Sequence, residues 1–131
     1  FVLLVDEIEE AFAQNKPYFG SAALGISSPP HRYAVLRSLI KRLAESKTNL
    51  AIRILEIGSW IGASTLTLAR SIEELCGGLG LVTCVDTWQP YLNTEINDLP
   101  SHLIMDLASK LDLSYSLFLH NCRCCGIDKM L

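Results

Sequence analysis

The sequence predicts an α/β protein in which a parallel sheet is flanked by helices, folded as one domain over residues 1–131. An isoleucine-rich run at 51–58 leads through two glycines into an amphipathic run that ends near residue 76. A second apolar run follows at 81–88. Short apolar runs of this kind are typical of strands covered on both faces. Strand, helix and strand in this order form a βαβ unit, whose crossover is right-handed.

The first 50 residues predict a helical region that precedes this core. Residues 2–14 carry apolar side chains on one face and acids on the other, which indicates an amphipathic helix. The segment after it is rich in Pro, Gly and Ser and is interpreted as a loop. Two prolines then mark the start of a second helix that continues over 31–46, because proline is tolerated in a first turn.

Residues 51–131 predict a partial sheet core. Its elements are a strand over 51–58, a helix over 62–76 that "GGLG" ends, and a second strand that ends in Asp86. Residues 89–100 are interpreted as a loop, and 101–125 as a helix that is broken near Asp112. The last six residues, "GIDKML", are interpreted as the start of a third strand, so the core is expected to be truncated there.

Composition and charge argue against several classes of function. The net charge is −3 and half of the residues are hydrophobic, so neither a nucleic-acid surface nor an anionic-membrane surface is indicated. No apolar run approaches the roughly 20 residues that span a bilayer. The five cysteines are odd in number and Cys84 lies in a strand-like run, which argues against a secreted disulfide framework and favours the cytoplasm.

Acids and glycines meet where the two predicted strands end. In an open parallel sheet, ligands bind beyond the carboxyl ends of the strands, and Glu56, Gly58 and Gly62 lie at such an end. Glycines permit a tight turn, and the N-terminus of the following helix attracts a carboxylate or a phosphate. Asp86, at the end of the neighbouring strand, is suited to accept hydrogen bonds from two ribose hydroxyls. Together these residues predict a site for a nucleoside with a charged tail.

The spacing of the glycines distinguishes two kinds of nucleoside. The dinucleotide fingerprint is G-x-G-x-x-G. This chain has E-I-G-S-W-I-G instead, with Glu56 where the fingerprint has its first glycine. The Glu56 carboxylate would repel a pyrophosphate and attract an amino group. The pattern therefore favours an aminoacyl-bearing nucleoside, with an NAD-type dinucleotide as the alternative.

The run "EIGSWIGAST", together with "VDTW", resembles the class I S-adenosylmethionine-dependent methyltransferases. The resemblance is to the small-molecule O-methyltransferase branch that includes the catechol and caffeoyl-CoA enzymes. It extends over residues 20–131 through "GISSPPHRYAVLRSLIKRL" and "FLHNCRCCGID". It implies a Rossmann-like fold and S-adenosylmethionine as the cofactor.

The resemblance also implies where the cofactor binds. The residues at its methionine part are Glu56 for the amino group, the backbone of Gly58, Ser59 and Gly62, and Ser64 for the carboxylate. The residues at its nucleoside part are Asp86 for the ribose hydroxyls, with Thr87 and Trp88 near the adenine.

The expected function is that of the S-adenosylmethionine-binding part of a methyltransferase that acts on a small or glycosylated molecule. In the family, the catalytic and metal-binding acids follow the fourth strand. No catalytic residue and no metal ligand are therefore assigned, and the chain as given is expected to be incomplete and inactive alone. The methyl acceptor stays open, as does formation of a homo-oligomer. The alternatives are an NAD-type domain and a non-catalytic, degenerate methyltransferase fold that serves as an interaction module.

Four of the predicted site residues also have a purely structural interpretation. Gly58 and Gly62 would let a helix pack close to a strand, Asp86 would cap a strand end, and Trp88 would be a packing residue. The run "HNCRCC" at 120–125 invites a metal interpretation. On a helix, however, only residues three or four apart share a face, so no metal site is predicted there.

Overall fold

A computed structural model of the protein describes residues 2–20, 30–46, 51–90, 93, 95, 96, 106, 108 and 110–131. Helices α1 to α4 span Val2–Ala13, Pro30–Ser46, Ala63–Cys76 and Leu113–Cys124. Strands β1 and β2 span Ile52–Ile57 and Gly80–Val85, and a short 3-10 helix spans Asp128–Met130. The chain is therefore mixed α/β, as the sequence predicts. The loop predicted over 89–100 lies partly outside the described residues.

The two strands form a parallel sheet, with α3 as the connection between them. Their pairing runs from Ile52 opposite Gly80 to Ile57 opposite Val85, so the carboxyl ends of β1 and β2 lie side by side. Gly80 permits this close pairing, because a Cβ there would lie 2.6 Å from the Ile52 carbonyl oxygen and 2.7 Å from the Ile72 side chain. The predicted strand–helix–strand arrangement with parallel strands is confirmed.

Two apolar clusters hold the helices to the sheet and to each other. The main cluster lies between the sheet, α2, α3 and α4, and its buried members include Ile40, Ile52, Leu68, Ala69, Ile72, Val82, Phe118 and Cys122. The second cluster joins α1 to α4 through Leu4, Ile8, Ile61, Ala108 and Leu117. Since Ile61 belongs to the loop before α3, the second cluster fixes that loop from the side of α1.

The face of the sheet opposite α3 is exposed. Side chains alternate between the two faces of a strand. Leu55 and Ile57 of β1 are 63% and 79% exposed, and Leu81 and Val85 of β2 are exposed beside them. The prediction that the strands are covered on both faces is therefore wrong for the described part of the chain, because α3 packs against one face only.

Part of the helix predicted over 101–125, namely 101–105, 107 and 109, lies outside the described residues, and the remainder is broken, as expected, just before Leu113. Asp106, Ala108 and Lys110 are helical, whereas Leu111 and Asp112 form a turn. Asp112 has a φ of 57°, in the left-handed region that aspartate tolerates better than most residues. This turn separates α4 from the helical residues before it.

The third strand predicted at 126–131 is wrong. Gly126, with a φ of 65°, ends α4, and the amide of Ile127 donates to the Cys122 carbonyl at 3.0 Å. The Ile127 side chain is buried in the main cluster. The amide of Met130 then donates to the Ile127 carbonyl at 2.9 Å. Because these bonds are local, the segment forms a 3-10 helix instead of pairing with β2.

Candidate functional site

The two predicted acids lie at the adjacent ends of β1 and β2. Glu56 is paired with Cys84 in the sheet, and Asp86 directly follows β2. The amide of Gly58 donates to the Val85 carbonyl at 2.9 Å, which continues the strand pairing beyond the end of β1. The loop that follows, residues 58–62, then passes between the two acids and enters α3. The structure thus places both acids beside one loop, as the sequence predicts.

Glu56 is half-buried and is held from one side. Its Oε2 accepts a short hydrogen bond from the hydroxyl of Thr65, which is 0% exposed. The Cys84 thiol donates to the same oxygen at 3.7 Å. Burial, reinforced by the Glu56 carboxylate, raises the pKa of Cys84, so this thiol is a neutral donor. No described residue donates to Oε1 of Glu56, and this oxygen is the one that can bind a ligand.

Asp86 ties the loop to the end of β2. Its Oδ2 accepts from the Trp60 amide and its Oδ1 accepts from the Trp88 amide, both at 2.8 Å. A carboxylate has about four acceptor positions, so each oxygen keeps one position for a further donor. Asp86 therefore caps the end of β2, as the structural interpretation of this residue predicts. It can still accept hydrogen bonds from two hydroxyl groups.

The two loop glycines have different surroundings. Both have left-handed backbone, with φ of 83° at Gly58 and 90° at Gly62. A Cβ on Gly58 would meet nothing within 4 Å, so the backbone there is open to an approaching ligand. A Cβ on Gly62 would lie 3.1 Å from the Phe118 ring and 3.9 Å from the Cys122 sulfur. The close-packing interpretation thus applies to Gly62, although its neighbour is α4 and not a strand.

The two serines of the predicted site lie in different environments. Ser64 lines a cleft of about 670 Å³ between α2 and the end of β1, together with Glu56 and Gly58. Most of the remaining lining is apolar, and Arg32 and Arg42 of α2 also border the cleft. Ser59 is buried, and its hydroxyl makes no hydrogen bond within the structure described. The cleft therefore combines a free carboxylate oxygen, an open glycine and the first turn of α3.

Thr87 and Trp88 lie on the other side of Asp86. Thr87 is exposed, and its hydroxyl accepts from the Gln89 amide at 3.3 Å. The Trp88 ring packs against Tyr115 and Phe118, with centroids 4.8 and 5.3 Å apart. Its Nε1 donates to the Trp60 carbonyl at 2.8 Å. Trp88 is thus a packing residue at the rim of a second cleft, of about 540 Å³.

Asn121 was not among the predicted site residues, and it holds the loop from the side of α4. Asn121 is 1% exposed, and its amide nitrogen donates to the carbonyls of Tyr18 and Ile61 at 2.7 and 2.8 Å. Its Oδ1 accepts from the Tyr18 amide at 2.7 Å. The signal in the sequence is an amide side chain four residues after Leu117, on the apolar face of α4. Buried polar groups are generally hydrogen-bonded, so a buried amide at this position indicates a residue that binds the backbone of neighbouring segments. The three hydrogen bonds of Asn121 are called the Asn121 clamp below.

The cysteines of "HNCRCC" lie on two sides of α4. Cys122 is buried in the main cluster and Cys125 packs against it, whereas Cys124 contacts His120 one turn earlier. Within the described residues, no group of three or more His, Cys, Asp or Glu side chains is arranged to hold a metal ion. All five cysteines of the chain are free thiols.

Comparison of the chain with protein-family models, with curated proteins and with solved structures found no match. Among the helices of the described residues, none has both the length and the apolar character required to cross a bilayer.

Proposed function

We propose that the chain is the S-adenosylmethionine-binding part of a methyltransferase whose acceptor is a small or glycosylated molecule. The observation that carries the proposal is the position of Glu56 and Asp86 at adjacent ends of parallel strands. Between them lies a loop that is open at Gly58 and leads into the N-terminus of α3. A Rossmann-like fold is part of the proposal, and the parallel pairing of β1 with β2 supports it.

The charges and donors of this site match the three polar parts of the cofactor. The free Oε1 of Glu56 suits the ammonium group, and the first turn of α3 offers unpaired N–H groups and a positive dipole end to the carboxylate. The remaining acceptor positions of Asp86 suit the ribose hydroxyls. The bound cofactor would supply the methyl group, and the residues of this chain would bind and orient it. No residue is assigned to catalysis.

One alternative, an NAD-type dinucleotide site, is disfavoured by Glu56. Because Thr65 and Cys84 both donate to its Oε2, the carboxylate is held at the mouth of the loop. A pyrophosphate at the loop would face the fixed negative charge of Glu56.

The other alternative, a non-catalytic interaction module, is favoured by one specific observation. Asp86 accepts hydrogen bonds from the amides of Trp60 and Trp88, which gives it a structural role without any ligand. If capping were the whole role of Asp86, the residue would be needed for the fold even in a chain that binds no nucleoside. A binding measurement separates the two functions.

The test is calorimetric titration of the chain with S-adenosylhomocysteine and, separately, with NAD. We expect S-adenosylhomocysteine to bind and NAD to bind more weakly or not at all. Glu56→Gln is the matched variant, because glutamine keeps one oxygen to accept from the Thr65 hydroxyl but replaces the charged ligand-facing oxygen with an NH2 group, which cannot accept from an ammonium. This variant should lose affinity for S-adenosylhomocysteine by about 10- to 100-fold, the range for a hydrogen bond to a charged group. Equal or tighter binding of NAD would refute the proposal, and binding of neither would favour the interaction module.

The proposed compartment is the cytoplasm. All five cysteines are free thiols, a state that a reducing compartment maintains.

A further inference from the structure

The edge of β1 that faces away from β2 carries backbone groups that no described residue satisfies. The amides of Ile52 and Gly58 donate to carbonyls on the β2 side, which fixes the direction in which the backbone groups of β1 point. Because alternate residues of a strand turn their N–H and C=O groups to opposite edges, those of Arg53, Leu55 and Ile57 point away from β2. An edge of this kind is a template for pairing with a further strand.

The cleft of about 670 Å³ lies along this free edge. Its lining includes Ile54, from the face of β1 that α3 covers, as well as Leu55 and Ile57 from the exposed face. Since the side chains of a strand alternate between its faces, one cleft can border both sets only at the strand edge. The opposite wall is α2, which contributes Leu39 and Leu43. The cleft is therefore a slot between the edge of a strand and an apolar helix.

The charged side chains at the cleft favour an acidic occupant. Arg32 and Arg42 of α2 border it, and neither forms an ion pair with a described residue. The acid in the described lining is Glu56, which lies towards the carboxyl end of β1, beside the proposed cofactor site. The guanidinium group of arginine matches a carboxylate in geometry and charge, so the two arginines suit acidic side chains of a bound chain.

We propose that the cleft binds an extended segment of a partner protein, which pairs with β1 as an added strand. Its backbone would bond to the free N–H and C=O groups of β1, its alternate apolar side chains would pack against α2, and flanking acids would meet the two arginines. Strand addition of this kind is a recurring mode of peptide recognition.

The backbone groups decide between an added strand and other apolar occupants. A helix or an apolar small molecule would cover the same walls but leave the edge groups of β1 buried without a partner, which is costly. The inference is independent of the proposed cofactor, because no nucleoside takes part in the interaction or in its test.

The test is calorimetric titration of the chain with a synthetic peptide, Asp-Val-Thr-Val-Thr-Val-Asp, blocked at both ends. Its sequence is the same in both directions, so parallel and antiparallel pairing are both open to it. We expect saturable binding of one peptide per chain. A version with lysine at both ends should bind about two- to fivefold more weakly, the range for exposed ion pairs. Because the net charge of the chain is −3, overall attraction would produce the opposite order.

Two N-methylated versions of the peptide test the strand pairing itself. One carries the methyl group on the central valine nitrogen and the other on a neighbouring threonine nitrogen, so the two groups lie on opposite edges of the extended peptide. An N-methyl group removes a donor and cannot fit between paired strands. One version should therefore lose at least about tenfold in affinity while the other binds like the parent peptide. Adhesion to an apolar surface would leave both versions bound.

The matched variants of the chain are Leu39→Asp and Val35→Asp. Both side chains are exposed on α2, at 49% and 57%, but only Leu39 lines the cleft. Leu39→Asp should weaken binding of the parent peptide by about tenfold, because it removes an apolar contact and adds a charge beside the acids of the peptide. Val35→Asp should leave the affinity unchanged.

Four outcomes would overturn the proposal. They are no binding of the parent peptide, equal binding of the two methylated versions, unchanged affinity in folded Leu39→Asp, and a stable dimer of the chain alone in sedimentation that this variant dissociates. The last would show that the occupant is a second copy of the chain. If Leu39→Asp does not fold, the methylated peptides decide the question on the wild-type chain.

Discussion

Replacing each loop glycine by alanine separates backbone strain from packing. Gly58 and Gly62 both have positive φ, at 83° and 90°, and the left-handed region costs a residue with a Cβ about 1–2 kcal/mol. At Gly58 this is the whole cost, since nothing lies within 4 Å of the added Cβ. At Gly62 the Cβ would lie 3.1 Å from Phe118, and overpacking of this kind adds about 1–3 kcal/mol. We therefore expect losses of about 1–2 kcal/mol for Gly58→Ala and about 2–5 kcal/mol for Gly62→Ala.

The measurement is urea unfolding of the wild type and both variants, with the free energy of unfolding extrapolated to water. Phe118→Leu alone, combined with Gly62→Ala and combined with Gly58→Ala, completes two double-mutant cycles. Because the smaller side chain frees the space beside residue 62, Gly62→Ala should cost less in the Phe118→Leu background. Gly58→Ala should cost the same in both backgrounds. Equal losses for the two glycine variants, or no coupling between positions 62 and 118, would refute the packing argument.

Three further predictions concern single residues. Asp86→Ala should weaken binding of S-adenosylhomocysteine by about 10- to 100-fold, measured by calorimetry. It should also lower the free energy of unfolding, because the Trp60 and Trp88 amides lose their acceptor; unchanged affinity and stability would contradict both roles. Asn121→Leu should lower stability by about 3–5 kcal/mol in urea unfolding, since three backbone groups lose their partner, and a loss below about 1 kcal/mol would exclude the clamp. Stability should also fall as the pH rises from about 9 towards 12, because the pKa of Cys122 is raised in the folded state and the thiol ionises first in the unfolded chain. In Cys122→Ala this alkaline decline should be shallower, and an identical slope would contradict the assignment.

The sequence alone determined the strand–helix–strand unit and the position of its two acids. Strands and helices have different apolar periods, so the runs at 51–58, 62–76 and 81–88 could be assigned by local pattern. Parallel pairing then follows from the connecting helix, and it brings Glu56 and Asp86 to the same edge. The break near Asp112 was also expected from the sequence, whereas its left-handed backbone became apparent only in the structure.

Only the tertiary structure decided what each residue contacts over a long distance in the chain. A glycine is needed at position 62 because Phe118 packs against it. Asn121 forms hydrogen bonds with Tyr18. The residues of each pair are more than 50 positions apart in the sequence. The same holds for the pairing of Cys124 with Asn15, across 109 residues. The prediction of a third strand was wrong for a related reason. A strand forms only where a neighbouring strand accepts its hydrogen bonds, whereas the described bonds of residues 126–131 are local. Local periodicity carries no information about such partners, because they are selected by the packing of whole elements against one another.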